Sequence, residues 1–108
     1  MIIEVFAKNQ FEATHSWPDC NISEVNYLEN EHRHIFHITS FKKVTHDNRD
    51  TEFIELKHRI QEYLESNFPF KQLGSMSCEM LAQELIEEFK LSRCIVSEDN
   101  ENGAEVTA

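Results

Sequence analysis

The run His32–Val44 constrains the fold more than any other part of this sequence. Its side chains alternate between two sets, one containing Phe36 and Ile38 and the other containing Ile35 and Thr39. Alternation with a period of two, rich in β-branched and aromatic residues, is typical of a β-strand. We therefore expect a long strand here, with bulky side chains on both of its faces.

A second strand is predicted over Met1–Trp17, where Ile3, Val5 and Ala7 share one face. A turn sequence containing proline and asparagine follows Trp17 and ends the strand. Residues 21–31 are polar and acidic, which favours a loop between the two strands.

Two helices are predicted after the second strand. Apolar residues recur at helical spacing over Thr51–Ser66 and again over Ser75–Lys90. The candidate N-caps are Asp50 or Thr51 for the first helix and Ser75 or Ser77 for the second.

The C-terminal part of the chain predicts a short strand at Cys94–Ser97. For residues 100–108 two outcomes stay open, a disordered tail or a final edge strand at Ala104–Thr107. The order β-β-α-α-β, with or without a last strand, fits one α+β domain over residues 1–108, with two helices on one face of an antiparallel sheet. Pairing between copies can cover the edges of such a sheet, which makes a ring-shaped homo-oligomer a reasonable expectation.

Charge and composition exclude several classes of partner. The chain has 20 acidic and 10 basic residues and a net charge of −10, which argues against nucleic acid or an anionic membrane. Because there is no apolar stretch near 18 residues and no signal-peptide pattern over Met1–Phe6, we expect a cytoplasmic protein. Three cysteines without C-x-x-C spacing predict reduced thiols.

Histidines provide the clearest candidate site. His32 and His34 are two residues apart on a predicted strand, so their side chains point to the same face and can bind one ion. His15, near the end of the preceding strand, can supply a third ligand, which leaves the fourth position of a zinc ion open. The alternative is that all three are ordinary surface residues, since an H-x-H pair is a weak motif by itself.

Five short motifs extend the histidine pattern, in order, over almost the whole chain. They lie at Phe11–His15, His32–Ile38, Glu52–Lys57, Met76–Ala82 and Val96–Glu98. In them the chain resembles the 6-pyruvoyl-tetrahydropterin and 6-carboxy-tetrahydropterin synthase family. The corresponding family motifs read F-x-A-x-H, H-G-H, D-F-x-x-L-K, P-T-x-E-x-L-A and V-x-E.

The resemblance implies a T-fold, in which subunits pair into β-barrels and form rings, here a homo-hexamer or homo-tetramer. It implies a Zn²⁺ cofactor and a lyase reaction on a pterin-like small molecule, a dihydroneopterin triphosphate-like substrate. The residues that it implies are His15, His32 and His34 for zinc, Glu98 for anchoring the pterin ring, and Ser77 and Cys78 for lining its pocket.

The chain departs from the family pattern at three places. Arg33 replaces the glycine of H-G-H, and Leu28 stands where the family has its catalytic cysteine. The family's Asp-His pair has no counterpart after the first helix. Glu29 has the spacing of a proton-transfer glutamate found in some members, with Glu31 as a competitor.

These departures leave other functions open besides the enzyme. One is a diverged, non-catalytic T-fold protein that binds zinc, a pterin or a purine. Another is a purely structural or interaction module.

Overall fold

A computed structural model describes all residues, 1–108, as a four-stranded antiparallel sheet with two α-helices on one face. The elements are β1 (Ile3–His15), β2 (His32–Val44), α1 (Phe53–Asn67), α2 (Cys78–Phe89), β3 (Arg93–Glu98) and β4 (Asn102–Thr107). A short 3₁₀ helix, Ser23–Glu29, lies within the segment that joins β1 to β2. The α+β class and the helices on one face of the sheet are therefore confirmed.

The strands follow one another in the sheet in chain order, β1-β2-β3-β4. β1 and β2 pair over their whole length, from Ile3 opposite Val44 to His15 opposite His32. β3 then pairs with the middle of β2, and its last residue, Glu98, lies opposite Phe36. This register brings the end of β1, the beginning of β2 and the end of β3 to the same end of the sheet.

The hydrophobic core lies between the helices and one face of the sheet. Side chains two apart on β1 and β2 alternate between this face and the opposite one, as a strand requires. The sheet contributes Phe11, Phe36, Ile38 and Val96, each at most 1% exposed. From the helices the fully buried residues are Ile60, Leu64, Leu81, Ala82 and Leu85.

No helix covers the other face of the sheet, which we call the open face. It carries Phe6, which is 52% exposed and lies opposite Phe41, and Ile35, which lies further along β2 opposite Glu12. Phe6 packs against Phe41 with ring centroids 5.7 Å apart, and the Arg93 guanidinium lies 3.6 Å from the Phe41 centroid. The open face is therefore partly apolar although it is exposed in the single chain.

The cap of α1 differs from the prediction. Glu52, rather than Asp50 or Thr51, is the N-cap, and its carboxylate accepts hydrogen bonds from the backbone N–H groups of Ile54 and Glu55. Asp50 instead accepts hydrogen bonds from the backbone and hydroxyl of Thr45, and these contacts lower the pKa of the Asp50 carboxyl. Asp50, which the sequence pattern predicted as a helix cap, thus stabilises the turn at Thr45 instead.

Two other uncertain segments take defined structures. The C-terminal residues form the edge strand β4, and the expected loop at 21–31 contains the 3₁₀ helix. Ser77, one of the two candidates, caps α2 by accepting a hydrogen bond from Met80 N–H at 3.1 Å. All three cysteines are free, and neither α-helix is both long enough and apolar enough to span a bilayer.

Candidate metal centre

The three predicted histidines lie together at one end of the sheet. His15 ends β1, His32 begins β2 opposite it, and His34 follows on the same face of β2. Their candidate ligand nitrogens all lie within 4.8 Å of one another. His15 is buried, and the other two are half-buried. The cluster predicted from sequence spacing is therefore present in the fold.

Each imidazole is oriented by a hydrogen bond from its Nδ1 atom. The acceptors are the Met76 carbonyl for His15 (2.8 Å), the Asn30 carbonyl for His32 (2.8 Å) and Asp99 Oδ2 for His34 (2.7 Å). Carbonyl and carboxylate oxygens carry no proton, so each Nδ1 is the donor. The Nε2 atoms are then free to act as ligands, which is the tautomer and orientation that metal-binding histidines have.

Two of the Nε2 atoms lack a hydrogen-bond partner although they are buried. These are Nε2 of His15 and Nε2 of His34. Buried polar atoms are normally satisfied, so an exception needs an explanation. A cation bound between the imidazoles would supply the missing interaction, and three neutral imidazoles are a donor set that suits zinc. The residues present therefore fit a zinc ion.

Asp99 orients His34 from an unusual backbone position. It has a positive φ of 54°, just after the end of β3. Its backbone N–H donates to the Ile35 carbonyl (2.8 Å), and its Oδ1 accepts from Ile35 N–H (2.9 Å). The hydrogen bond from the Ile35 backbone, and to a smaller extent the one from the His34 side chain, lower the pKa of the Asp99 carboxyl. Sequence reasoning missed this residue, because no spacing rule connects position 99 to position 34.

A cleft of about 370 Å³ adjoins the histidine cluster. Its walls come from the beginning of α2, the 16–31 segment, the end of β3 and the beginning of β4. Besides His15 and His32, the lining includes Trp17, Leu28, Ser77, Cys78, Glu79 and Glu98. No lysine or arginine lines it, so the cleft of one chain has acidic and neutral groups but no fixed cation.

The fold brings most of the predicted binding residues to this cleft. Ser77, Cys78 and Glu98 line it, but Glu29 does not; its neighbour Leu28 does. Burial, followed by the charges of Glu98 and Glu79, raises the pKa of the Cys78 thiol to about 12. The Cys78 thiol is therefore protonated at neutral pH.

Two basic side chains that could otherwise bind a phosphate group, Arg33 and Lys42, form contacts elsewhere. Arg33 forms an ion pair of 2.7 Å with Glu12 on the open face. Lys42 donates to the Phe89 carbonyl at the C-terminal end of α2, away from the histidines. Neither of them lines the cleft.

Chemically, the site offers three oriented imidazoles and a carboxylate beside a cleft large enough for a small molecule. Metal sites with three protein ligands and an open position are typical of catalytic zinc. Comparisons of this chain with protein-family models and with curated proteins find no match. Its function is therefore inferred from its own residues and geometry.

Proposed function

We propose that this chain is a zinc-dependent, pterin synthase-like lyase that acts on a dihydroneopterin triphosphate-like substrate. The observation that carries the proposal is the convergence of His15, His32 and His34, with two buried Nε2 atoms that have no hydrogen-bond partner. The adjoining cleft and its carboxylate support a polar, ring-shaped substrate.

In this proposal His15, His32 and His34 hold the zinc ion. When bound, zinc would polarise a substrate oxygen and lower the pKa of a coordinated hydroxyl. Glu98 would accept two parallel N–H bonds from the aminopyrimidine edge of a pterin, a geometry that suits a carboxylate. Ser77 and Cys78 would contact the same ring from the beginning of α2.

A ring-shaped homo-oligomer with the T-fold is part of the proposal. The outer edge of β4 is free, and so is that of β1 except at Thr14, which pairs with residues 71–73. These edges and the apolar side chains on the open face support pairing between copies. The cleft of one chain lacks the cations that a triphosphate needs. A neighbouring copy in the ring would supply them, and would also bring a proton-transfer group such as Glu29 to the site.

The second candidate is a non-catalytic protein that binds zinc and a pterin or purine. It is favoured by Leu28, which lines the cleft at the position where the resembled family has its catalytic cysteine. The protonated Cys78 thiol does not replace that nucleophile. The two candidates share the metal site and differ only in turnover.

The first experiment tests the metal site itself. Zinc per chain is measured by elemental mass spectrometry for the wild type, His34→Ala and the matched control His37→Ala. His37 lies on the same strand but on the opposite face, paired with Gln10. We expect about one zinc per chain in the wild type and the control and a loss in His34→Ala. A wild type that takes up no added zinc would contradict the proposal.

The second experiment separates the two candidates. Zinc-loaded protein is incubated with dihydroneopterin triphosphate, and tetrahydropterin products are separated by chromatography. Product formation that is lost in Glu29→Gln while zinc is retained would support the lyase and its assigned base. If no product forms although zinc and a pterin bind, the non-catalytic candidate replaces the enzyme.

A further inference from the structure

The carboxylate of Glu98 lies beside the ligand nitrogens of the histidine cluster, closer than contact with a substrate alone would require. Glu98 ends β3, and its Oε2 atom lies 3.0 Å from His15 Nε2. Its Oε1 atom lies 3.6 Å from His34 Nε2. One carboxylate therefore faces two of the three imidazoles through the atoms that remain free to bind a metal.

These distances are similar to the separation between two ligand atoms that bind the same metal ion. Ligand atoms in a tetrahedral zinc site lie about 3.3 Å apart, because each is about 2.0–2.1 Å from the ion. The two Glu98 distances lie on either side of that value. Neither contact is a hydrogen bond, since both Nε2 atoms lack a hydrogen-bond partner. With Nδ1 protonated, each neutral imidazole presents its Nε2 lone pair to the carboxylate, and a metal cation between them would offset the repulsion.

We propose that Glu98 is the fourth ligand of the metal, which closes a three-histidine, one-carboxylate site in the substrate-free protein. The inference rests on the zinc site of the proposed function and changes its resting state from open to closed. A contact between Glu98 and the substrate then requires the carboxylate to leave the metal first. Binding at this site would be an exchange of ligands and not the filling of an empty position.

The other carboxylates near the site do not compete for this role. Asp99 is bound to His34 Nδ1 and to the backbone of Ile35, so its oxygens face away from the Nε2 atoms. Glu79 lines the cleft, but the histidines of the cluster form their ion pairs with Glu98 and Asp99 and not with Glu79. Glu98 is thus the carboxylate that the fold directs at the free nitrogens.

The test is the zinc affinity of Glu98→Gln, with Glu79→Gln as the matched control from the same cleft. Zinc affinity is measured by competition with a chromophoric chelator. We expect Glu98→Gln to weaken zinc binding about tenfold or more, and Glu79→Gln to change it by less than about twofold. Equal affinity in all three proteins would overturn the inference while leaving the three-histidine site intact. No zinc binding in the wild type would overturn both this inference and the proposed function.

A second measurement does not depend on a variant. In a crystal structure of the zinc-loaded wild type, we expect a Glu98 oxygen about 2.0–2.2 Å from the metal. A water molecule in the fourth position, with Glu98 outside the coordination shell, would overturn the inference.

Discussion

Single residues decide how firmly each imidazole of the site is held. The Nδ1 acceptors of His15 and His32 are backbone carbonyls, which no side-chain substitution removes. The acceptor of His34 is the Asp99 side chain. Asp99 is therefore the orienting contact of the cluster that mutagenesis can delete.

We predict that Asp99→Asn weakens zinc binding about 10–100-fold, the usual effect of losing a carboxylate that orients a metal-bound histidine. Asparagine has one oxygen, whereas Asp99 accepts hydrogen bonds from both His34 and the Ile35 backbone. Its amide group would turn a donor toward one of them. Competition with a chelator measures the change, and the exposed Asp19→Asn serves as control. Unchanged affinity in Asp99→Asn would show that His34 keeps its orientation without this contact.

At this scale the sequence was informative where spacing alone determines geometry. His32 and His34 share a face because strand side chains alternate, and the structure confirms it. Asp99 could not be found this way, since it approaches His34 only through the positive-φ turn after β3. The N-cap of α1 was predicted wrongly because Asp50 binds the Thr45 turn instead.

Among the secondary-structure elements, β4 was the hardest to predict. It alternates over only a few residues, with Ala104 and Val106 as its apolar members, whereas the alternation that identified β1 and β2 is much longer. Gly103 explains part of this, because a Cβ atom there would clash with the Val96 carbonyl oxygen and with Ser97 on β3. The strand thus depends on a residue that usually weakens strand predictions.

We predict that Gly103→Ala lowers the free energy of unfolding by about 1–3 kcal/mol, the range seen when atoms are added to a packed contact. The added methyl would push against backbone atoms, which have few ways to move aside. Chemical denaturation measures the loss, with the exposed Thr107→Ser on the same strand as control, expected within about 0.5 kcal/mol. Equal stability of Gly103→Ala and wild type would mean that β3 and β4 separate without cost.

For the whole molecule, buried and half-buried groups with raised pKa values link stability to alkaline pH. Burial raises the pKa of the Cys94 thiol from 9.0 to about 11. Burial and the hydrogen bond to Glu84 raise the pKa of the Tyr63 hydroxyl from 10.0 to about 12. In both cases the unfolded chain loses its proton at lower pH than the folded chain.

We therefore predict that this contribution to the unfolding free energy is complete up to about pH 8, and that the unfolding free energy falls as pH rises from about 9 toward 12. When folding raises the pKa of a group, that group stabilises the folded state. This stabilisation is complete below the pKa that the group has in the unfolded chain, and it is lost as the pH rises to the pKa of the folded state. Denaturation at a series of alkaline pH values measures the slope. Tyr63→Phe should reduce the slope above pH 10, where that hydroxyl titrates in the unfolded chain. A flat profile in the wild type would contradict the prediction.

From the sequence, the overall architecture could be predicted as one α+β domain in which a layer of helices packs on a sheet. Strong periodicity placed both long strands and both α-helices within a few residues of their observed bounds. How copies of the chain meet was not predictable, because edge strands and open faces reveal that a surface is free but not what covers it. Assembly into a ring therefore stays a proposal, which light scattering can test.

His15 and His32 lie opposite each other at the two ends of the 16–31 segment. A metal bound to both would act as a cross-link across the base of that loop, in addition to the strand pairing that already joins them. The segment contains no buried residue within its 3₁₀ helix, yet it supplies Trp17 and Leu28 to the cleft. Because His15 and His32 stay in paired strands, proteolytic cutting within the segment would leave metal binding intact. It would remove the wall of the cleft that Trp17 and Leu28 form. The affinity for metal and the affinity for a small molecule can then be measured separately.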